Sequence, residues 1–217
     1  MLPIGDDNRL RRRVPVITYL LIALNILFFL AELDGGDKFI LKWAFVPSRF
    51  LAHPETSFLT IVTSMFLHAG WVHLGGNMLY LWIFGDNVED RFGPSRFFLF
   101  YMLCGIAATF AQMALHIRSD IPNLGASGAI AGVLGAYLLM FPQAKIDVLI
   151  GFFVVPLPAL VVIGMWIVLQ FFNGLASISD TTDTGGVAYI AHIGGFFTGF
   201  VLTYFFRGQS RYVRLGG

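Results

Sequence analysis

The stretch IPNLGASGAIAGVLGAYLLMFPQA, residues 121–144, contains no Asp, Glu, Lys or Arg. About 20 apolar residues are enough for an α-helix to cross the hydrocarbon core of a membrane. Five further charge-free stretches are each long enough for one such helix. They are residues 14–31, 56–85, 97–117, 148–179 and 184–206. The pattern predicts an all-α, polytopic membrane protein built as a compact bundle of six transmembrane helices.

The composition supports a membrane protein and excludes several other classes. Of the 217 residues, 57% are hydrophobic and 12% are charged, whereas an average soluble domain is about 25% charged. A soluble fold of this size has too much surface to hide so many apolar side chains. The net charge of +1 gives no basic field for binding nucleic acid. The single cysteine, Cys104, excludes an internal disulfide.

The basic residues predict which side of the membrane each connection faces. With a cytoplasmic N-terminus, ten of the fourteen Lys and Arg residues fall in connections on that side, as the positive-inside rule requires. The chain then divides into a cytoplasmic N-terminal segment at 1–13, a six-helix membrane domain at 14–207 and a cytoplasmic tail at 208–217. The expected location is a bacterial plasma membrane.

Two of the stretches are longer than one straight span needs. Residues 58–67 are predicted to form a short amphipathic helix at the interface, and the second span then begins at about Trp71. The fifth stretch contains Pro156 and Pro158, which break regular helical hydrogen bonding. They predict either a simple kink or a span that can move.

Polar residues occur at one depth in three separate spans. His73 and Asn77 lie near the outer start of the second span, Ser127 near that of the fourth and His192 near that of the sixth. At about 1.5 Å per residue, Ser127 is expected one turn inside its helix and His192 two turns inside. The free N–H groups and positive dipole ends of the helices face the same layer. A buried serine beside a histidine, with donors for an oxyanion, is typical of acyl transfer.

Each of these features also has a purely structural interpretation. The glycines around Ser127 at 125–128 are typical of close helix packing, and Gly195 and Gly199 predict that the sixth span packs tightly on the fourth. A lone buried histidine is often a hydrogen-bonded core residue, although ionisable residues inside spans usually mark function. His73 and Asn77 share a helical face and could bond across the bundle. Their coincidence at one depth favours a site.

Metal binding is the other common use of histidine. The chain lacks a His-Glu-x-x-His motif, and the six apolar stretches contain no carboxylate. A zinc or di-iron site would need more ligands than these stretches supply. We therefore predict neither a metal nor another cofactor.

Four motifs together resemble the rhomboid family of intramembrane serine proteases. They are GASG at 125–128, AHIGGFFTG at 191–199, the spacing His68-x4-His73-x3-Asn77, and EDRFG at 89–93. The resemblance covers nearly the whole chain, and the combination in this order is far more specific than a lone Gly-x-Ser-Gly.

The resemblance implies a function and a role for each polar residue. Ser127 would be the nucleophile and His192 the general base, as a dyad without a third acid. His73 and Asn77, with the Ser127 backbone N–H, would form the oxyanion hole. The substrates would be membrane proteins cut in or near a transmembrane helix, and the partners would be these substrates and the lipid bilayer, without nucleic acid.

The sequence departs from the family pattern in two places and leaves one contact open. Trp43 and Arg49 stand apart, where many members carry an adjacent Trp-Arg pair. Some members place an aromatic residue four positions after the serine, where this chain has Ala131. Either Tyr189 or a phenylalanine of the last span then orients the histidine, or the dyad is held more loosely. Whether Asp180 or Asp183 contacts that histidine is left open.

Two other function classes fit the sequence less well. A rhomboid-like pseudoprotease that only binds membrane clients would typically lack the serine or the histidine, and this chain keeps both. A transporter or channel would carry polar residues along the depth of several spans, whereas here they lie at the outer ends. His68, five residues before His73, is expected to face a different direction.

Overall fold

Residues 2–8, 11–179 and 187–207 are described in the computed structural model of the protein, without the side chains of residues 177–179. Within this part of the chain, six helices of 14 residues or more form a bundle, joined by short helices and a small sheet. The long helices are α1 (Val16–Trp43), α5 (Trp71–Phe92), α6 (Pro94–Leu115), α7 (Ser127–Met140), α8 (Ala159–Ser179) and α9 (Tyr189–Phe206). The short helices are α2 (Pro47–Ala52), α3 (Pro54–Ser57), α4 (Thr60–Thr63) and a 3-10 turn (Ser64–Phe66), and the strands are β1 (Leu2–Asp6), β2 (Lys145–Ile150) and β3 (Phe153–Pro158).

The six long helices match the six charge-free stretches. Among the described residues, α1, α6, α8 and α9 are long and apolar enough to cross a membrane, and α7 is a shorter apolar helix. Helix α5 is 22 residues long and ends in a charged segment that contains Asp86, Glu89 and Arg91. The prediction of an all-α polytopic membrane protein is confirmed, and the protein is an integral membrane protein.

Helix α7 lies at the centre of the bundle. Its residues from Gly128 to Tyr137 are all buried, and it packs against α5, α6, α8 and α9. Its small residues Gly128, Ala129, Ala131, Gly132, Gly135 and Ala136 allow neighbouring helices to approach closely, which suits the interior of a membrane bundle. The serine at its first position is therefore carried by the most enclosed helix of the fold.

The contact between α7 and α9 is made by backbone against backbone. A Cβ atom at Gly195 would lie 2.0 Å from the carbonyl oxygen of Gly128, and one at Gly199 would lie 2.1 Å from that of Gly132. Only glycine fits at such distances, and small residues are what allows membrane helices to approach closely. The predicted close packing of the sixth span on the fourth is confirmed.

A buried carboxylate joins the start of α1 to α5. The carboxylate of Glu89 accepts hydrogen bonds from the backbone N–H groups of Ile17 (2.9 Å) and Thr18 (2.8 Å), and from the Thr18 hydroxyl (2.8 Å). The first N–H groups of a helix have no partner within the helix, and a negative charge there also favours the helix dipole. This contact fixes the start of the first span against the end of the second.

The first helix is longer than the charge-free stretch at 14–31. It continues to Trp43 across charged residues and is interrupted at Gly36 (φ 58°, ψ −154°). Its end is held by Arg49, whose guanidinium donates to the carbonyl oxygens of Leu41 and Ala44. Although Trp43 and Arg49 are not adjacent, the loop after α1 is thus anchored to the end of that helix.

The sheet corrects the prediction for the fifth span. Strands β2 and β3 form an antiparallel hairpin, and β1 pairs with the other edge of β2. Pro156 and Pro158 lie in β3, before α8 begins at Ala159, so they do not interrupt the membrane helix and the prediction of a proline kink is wrong. Proline is tolerated there because β3 is an edge strand, where a missing N–H breaks no further ladder bond.

The region before α5 is less regular than predicted. Instead of one amphipathic helix over 58–67, these residues form the short helix α4 and the 3-10 turn, and the short helix α3 ends just before them at Ser57. Such short 3-10 pieces commonly connect longer helices. The second span begins at Trp71, as expected.

Candidate active site

Ser127 is the first residue of α7, so it lies a turn closer to the helix start than predicted. The loop before it turns at Gly125, whose φ of 125° is rarely adopted by other residues. The Gly125 N–H donates to the Ser64 carbonyl oxygen (2.9 Å). A Cβ atom at Gly125 would lie 2.9 Å from Cε1 of His73. Glycine is required here both by the backbone conformation and by the close approach of the imidazole.

His192 is the fourth residue of α9, one turn inside the helix rather than two. Its Nε2 lies 2.8 Å from Oγ of Ser127, and its Nδ1 lies 2.8 Å from Oε1 of Gln170. The histidine is 8% exposed. The two residues from separate spans are brought into direct hydrogen-bonding contact, as the depth argument anticipated.

Aromatic rings from two helices surround the imidazole of His192. The Trp166 ring lies 5.8 Å away at 33°, and the Tyr189 ring lies 6.5 Å away, edge-on. Tyr189 was one of the two kinds of residue expected to orient the histidine, the other being a phenylalanine of the last span, whereas Trp166 and Gln170 were missed. The signal for both was their spacing of four residues in an apolar helix, which puts them on one face. Asp180 and Asp183 lie outside the described residues.

His73 and Asn77 are the third and seventh residues of α5 and share one face of it. The Ala69 N–H donates to Nδ1 of His73 (3.3 Å). In the neutral ring Nε2 therefore carries the proton and can act as a donor. A Cβ atom at Gly125 would be 3.0 Å from this Nε2 and 3.6 Å from Oγ of Ser127, so the two groups flank the same small space.

Asn77 has an uncommitted donor. The residue is 8% exposed, and Nδ2 of its amide is buried without a hydrogen-bond partner within residues 2–8, 11–179 and 187–207. Buried polar groups are nearly always hydrogen-bonded, and an exception calls for an explanation. A role as hydrogen-bond donor to a negative charge that develops during a reaction would explain why Nδ2 of Asn77 has no partner among the described residues.

His68 contacts His73 instead of facing away from it. Their ring centroids are 5.1 Å apart, and the backbone N–H of His68 donates to the buried carboxylate of Glu32 (2.9 Å). The expectation of a different direction was wrong because His68 precedes α5, so helical spacing does not apply to it. The two imidazoles are therefore in edge-to-face contact just before and at the start of α5.

A small cavity reaches Ser127 from the side of α6. It has a volume of about 20 Å³ and its polar lining residues are Ser64, Thr109, Asn123 and Ser127. About 10–15 Å³ is enough for one water molecule, so the cavity has room for the reactant of a hydrolysis. Across the described segments, no group of three or more His, Cys, Asp or Glu residues is arranged to hold a metal ion.

Comparison with known proteins places the chain in a family. Residues 55–209 match the rhomboid domain. The chain is 33% identical over 184 residues to Rhomboid protein 1, mitochondrial, of Saccharomyces cerevisiae, covering 82% of this chain and 50% of that protein. It is 34% identical over 187 residues to Rhomboid protease GluP of Bacillus subtilis, covering 84% and 34%, so it spans half or less of these relatives. Rhomboid-like protein 11, chloroplastic, of Arabidopsis thaliana is 29% identical over 209 residues, covering 92% and 69%. The chain belongs to the rhomboid family of intramembrane serine proteases.

Proposed function

We propose that this protein is an intramembrane serine endopeptidase that hydrolyses peptide bonds in or near transmembrane helices of membrane-protein substrates. The observation that carries the proposal is the 2.8 Å contact between Oγ of Ser127 and Nε2 of His192. Both residues sit at the starts of membrane helices, where a substrate helix inside the bilayer can be reached. The helices that carry both residues belong to a membrane bundle, so the proposed partners are the lipid bilayer and other membrane proteins.

The reaction begins with Ser127 and His192 acting as one unit. The Ser127 hydroxyl donates to Nε2 of His192, which takes the proton as Oγ attacks the scissile carbonyl. The imidazolium then returns the proton to the leaving amine, and an acyl-enzyme remains on Ser127. Water, activated by the same imidazole, hydrolyses this ester and restores the serine.

The negative charge on the tetrahedral intermediate is held by donors from two helices. The Ser127 N–H, at the first position of α7, has no acceptor within its own helix. Nδ2 of Asn77 is buried and unpartnered among the described residues, and Nε2 of His73 can donate while its Nδ1 accepts from Ala69. Such preorganised donors act strongly in a site of low dielectric constant.

Labelling tests the chemistry of the proposed nucleophile. A fluorophosphonate should modify the detergent-solubilised wild-type protein. Ser64→Ala is the control, because Ser64 lines the same cavity but has no histidine partner among the described residues. This control should be labelled as strongly as the wild type. Ser127→Ala should not be labelled, and it should not cleave a transmembrane reporter substrate in proteoliposomes. Cleavage by the wild type should survive EDTA. Labelling of Ser127→Ala, or loss of cleavage in EDTA that zinc restores, would refute the serine mechanism.

The location and orientation are proposed separately from the chemistry. Six crossings put residues 14 and 207 on the same side of the membrane, and the basic residues favour the cytoplasmic side or its equivalent. Of the similar proteins, one is named as mitochondrial, one is named as chloroplastic and one comes from a bacterium. A bacterial plasma membrane is therefore not favoured over a mitochondrial or chloroplast membrane. A reporter fused after Gly217 should be active on the inner side, and activity on the outer side would overturn the orientation.

A further inference from the structure

Gln170 is a buried amide in the middle of a mainly apolar helix. Helix α8 exposes much of its surface, including Val168 and Leu169, whereas Gln170 is 8% exposed. Its Oε1 lies 2.8 Å from Nδ1 of His192. Burying a polar side chain is unfavourable unless it is hydrogen-bonded, so this contact is the reason an amide is stable at this depth.

We propose that Gln170 is a positioning residue that selects the tautomer of His192. This inference rests on the proposed function, in which His192 is the base. A carbonyl oxygen can only accept, so the proton of the neutral imidazole must be on Nδ1. Nε2 is then left with a lone pair that faces Oγ of Ser127, 2.8 Å away. The Gln170 contact thereby makes the ring an acceptor toward the nucleophile and not a donor.

The same contact serves the charged state of the ring. When Nε2 takes the proton from Ser127, the imidazole becomes a cation, and the carbonyl dipole of Gln170 still faces the Nδ1–H. Hydrogen bonds to charged groups are stronger than those between neutral groups.

Trp166 supports the same ring from one helical turn away. Its ring lies 5.8 Å from that of His192 at 33°, and its spacing of four residues from Gln170 puts both on the same face of α8. Helix α8 therefore restricts the ring plane through Trp166 and the rotation within that plane through Gln170. The position one turn after the nucleophile, Ala131, is too small to do so.

If the Gln170 amide were turned around, so that its NH₂ group faced His192, the opposite tautomer of the imidazole would be expected. If Nε2 of Gln170 donated to Nδ1, His192 would carry its proton on Nε2 and donate to Ser127. The ring could not then accept the serine proton. The tautomer of His192 in the wild-type protein therefore decides between the two amide orientations.

Two substitutions separate the hydrogen bond from the packing. Gln170→Met keeps the length and bulk of the side chain but removes the acceptor, and Gln170→Glu keeps the acceptor oxygens. Asn173→Met, on the exposed face of the same helix, is the matched control. Gln170→Met should lower kcat about 10- to 100-fold with KM little changed, as expected for loss of a hydrogen bond to a charged group. Gln170→Glu and Asn173→Met should retain most of the wild-type kcat.

A spectroscopic measurement keeps the test independent of activity. In protein labelled with 15N-histidine, the signal assigned with His192→Ala should report a proton on Nδ1 in the wild type and in Gln170→Glu. It should report a mixture of tautomers in Gln170→Met. Wild-type kcat in Gln170→Met, or a proton on Nε2 in the wild type, would overturn the inference. If the wild type carries the Nδ1 proton but cleaves no substrate, the proposed protease activity is refuted and the tautomer assignment is not. If Gln170→Met folds poorly, the spectra of the wild type and of Gln170→Glu decide the test.

Discussion

Gly195 of α9 lies directly on the backbone of Gly128 in α7, one residue after the proposed nucleophile. The room for a side chain is absent, since a Cβ atom would be 2.0 Å from the Gly128 carbonyl oxygen. His192 is three residues, or about one turn, before Gly195. The distance between Ser127 and His192 is therefore set by how closely these two helix backbones approach.

Gly195→Ala should reduce both stability and activity. The added methyl group must push α9 away from α7, and overpacking of a tight interior typically costs about 1–3 kcal/mol. The control is Gly164→Ala in α8, where a Cβ atom meets nothing within 4 Å. Thermal unfolding in detergent and reporter cleavage should be nearly unchanged in the control. Equal behaviour of the two variants would mean that the glycine contact does not set the site geometry.

The two residues of the proposed dyad should behave as one unit. Ser127→Ala, His192→Ala and the double variant should lose the same amount of activity, because neither residue works without the other. The measurement is kcat/KM with a transmembrane reporter in proteoliposomes. Losses that multiply in the double variant would show that the two residues act independently.

Asn77→Ala should leave weak but measurable cleavage. Asn77 is one of several proposed oxyanion donors, and removal of one such donor typically lowers the rate about 10²- to 10³-fold. KM should change little, and slow labelling of Ser127 should persist. Asn173→Ala is the exposed control. Complete inactivity in folded Asn77→Ala would mean that Asn77 maintains the dyad itself, and full activity would remove it from the site.

Stability should depend on pH through Asp6 in β1. Burial raises the pKa of this carboxyl to about 7, with a further increase from Asp86 that opposes the hydrogen bond from Tyr137. Between about pH 4 and 7 the folded protein keeps a proton that the unfolded chain has released. Stability contributed by this group is therefore highest near pH 4, falls as the pH rises and levels off above about 7.

Asp6→Asn should remove this dependence. The apparent Tm of the variant should be close to that of the wild type near pH 4 and higher than it at pH 8. Asp34→Asn, at an exposed position, is the control and should follow the wild type at both values. A difference between Asp6→Asn and the wild type that is the same at every pH would contradict the assignment.

The sequence predicted the membrane helices and the polar residues at their starts, but it did not predict which neighbouring element each helix face contacts. Charge-free stretches and polar helix starts located Ser127 and His192, because water is excluded from spans and buried polar groups are rare there. Gln170 was missed because helical periodicity shows which residues share a face and not which neighbour that face meets. The β2–β3 hairpin was missed because a continuous apolar run is compatible with either a helix or a buried strand.

The pairing of β1 with β2 has a consequence for the order of folding. Leu2 is opposite Leu149, and Asp6 accepts a hydrogen bond from Tyr137, so the first residues of the chain bond to segments far downstream. During synthesis from the N-terminus, β1 has no strand partner until β2 has been made, and the start of α1 likewise waits for Glu89. We expect these contacts of high sequence separation to form late. The first segment of the nascent chain is then unpaired while the three long helices that follow α1, namely α5, α6 and α7, are made.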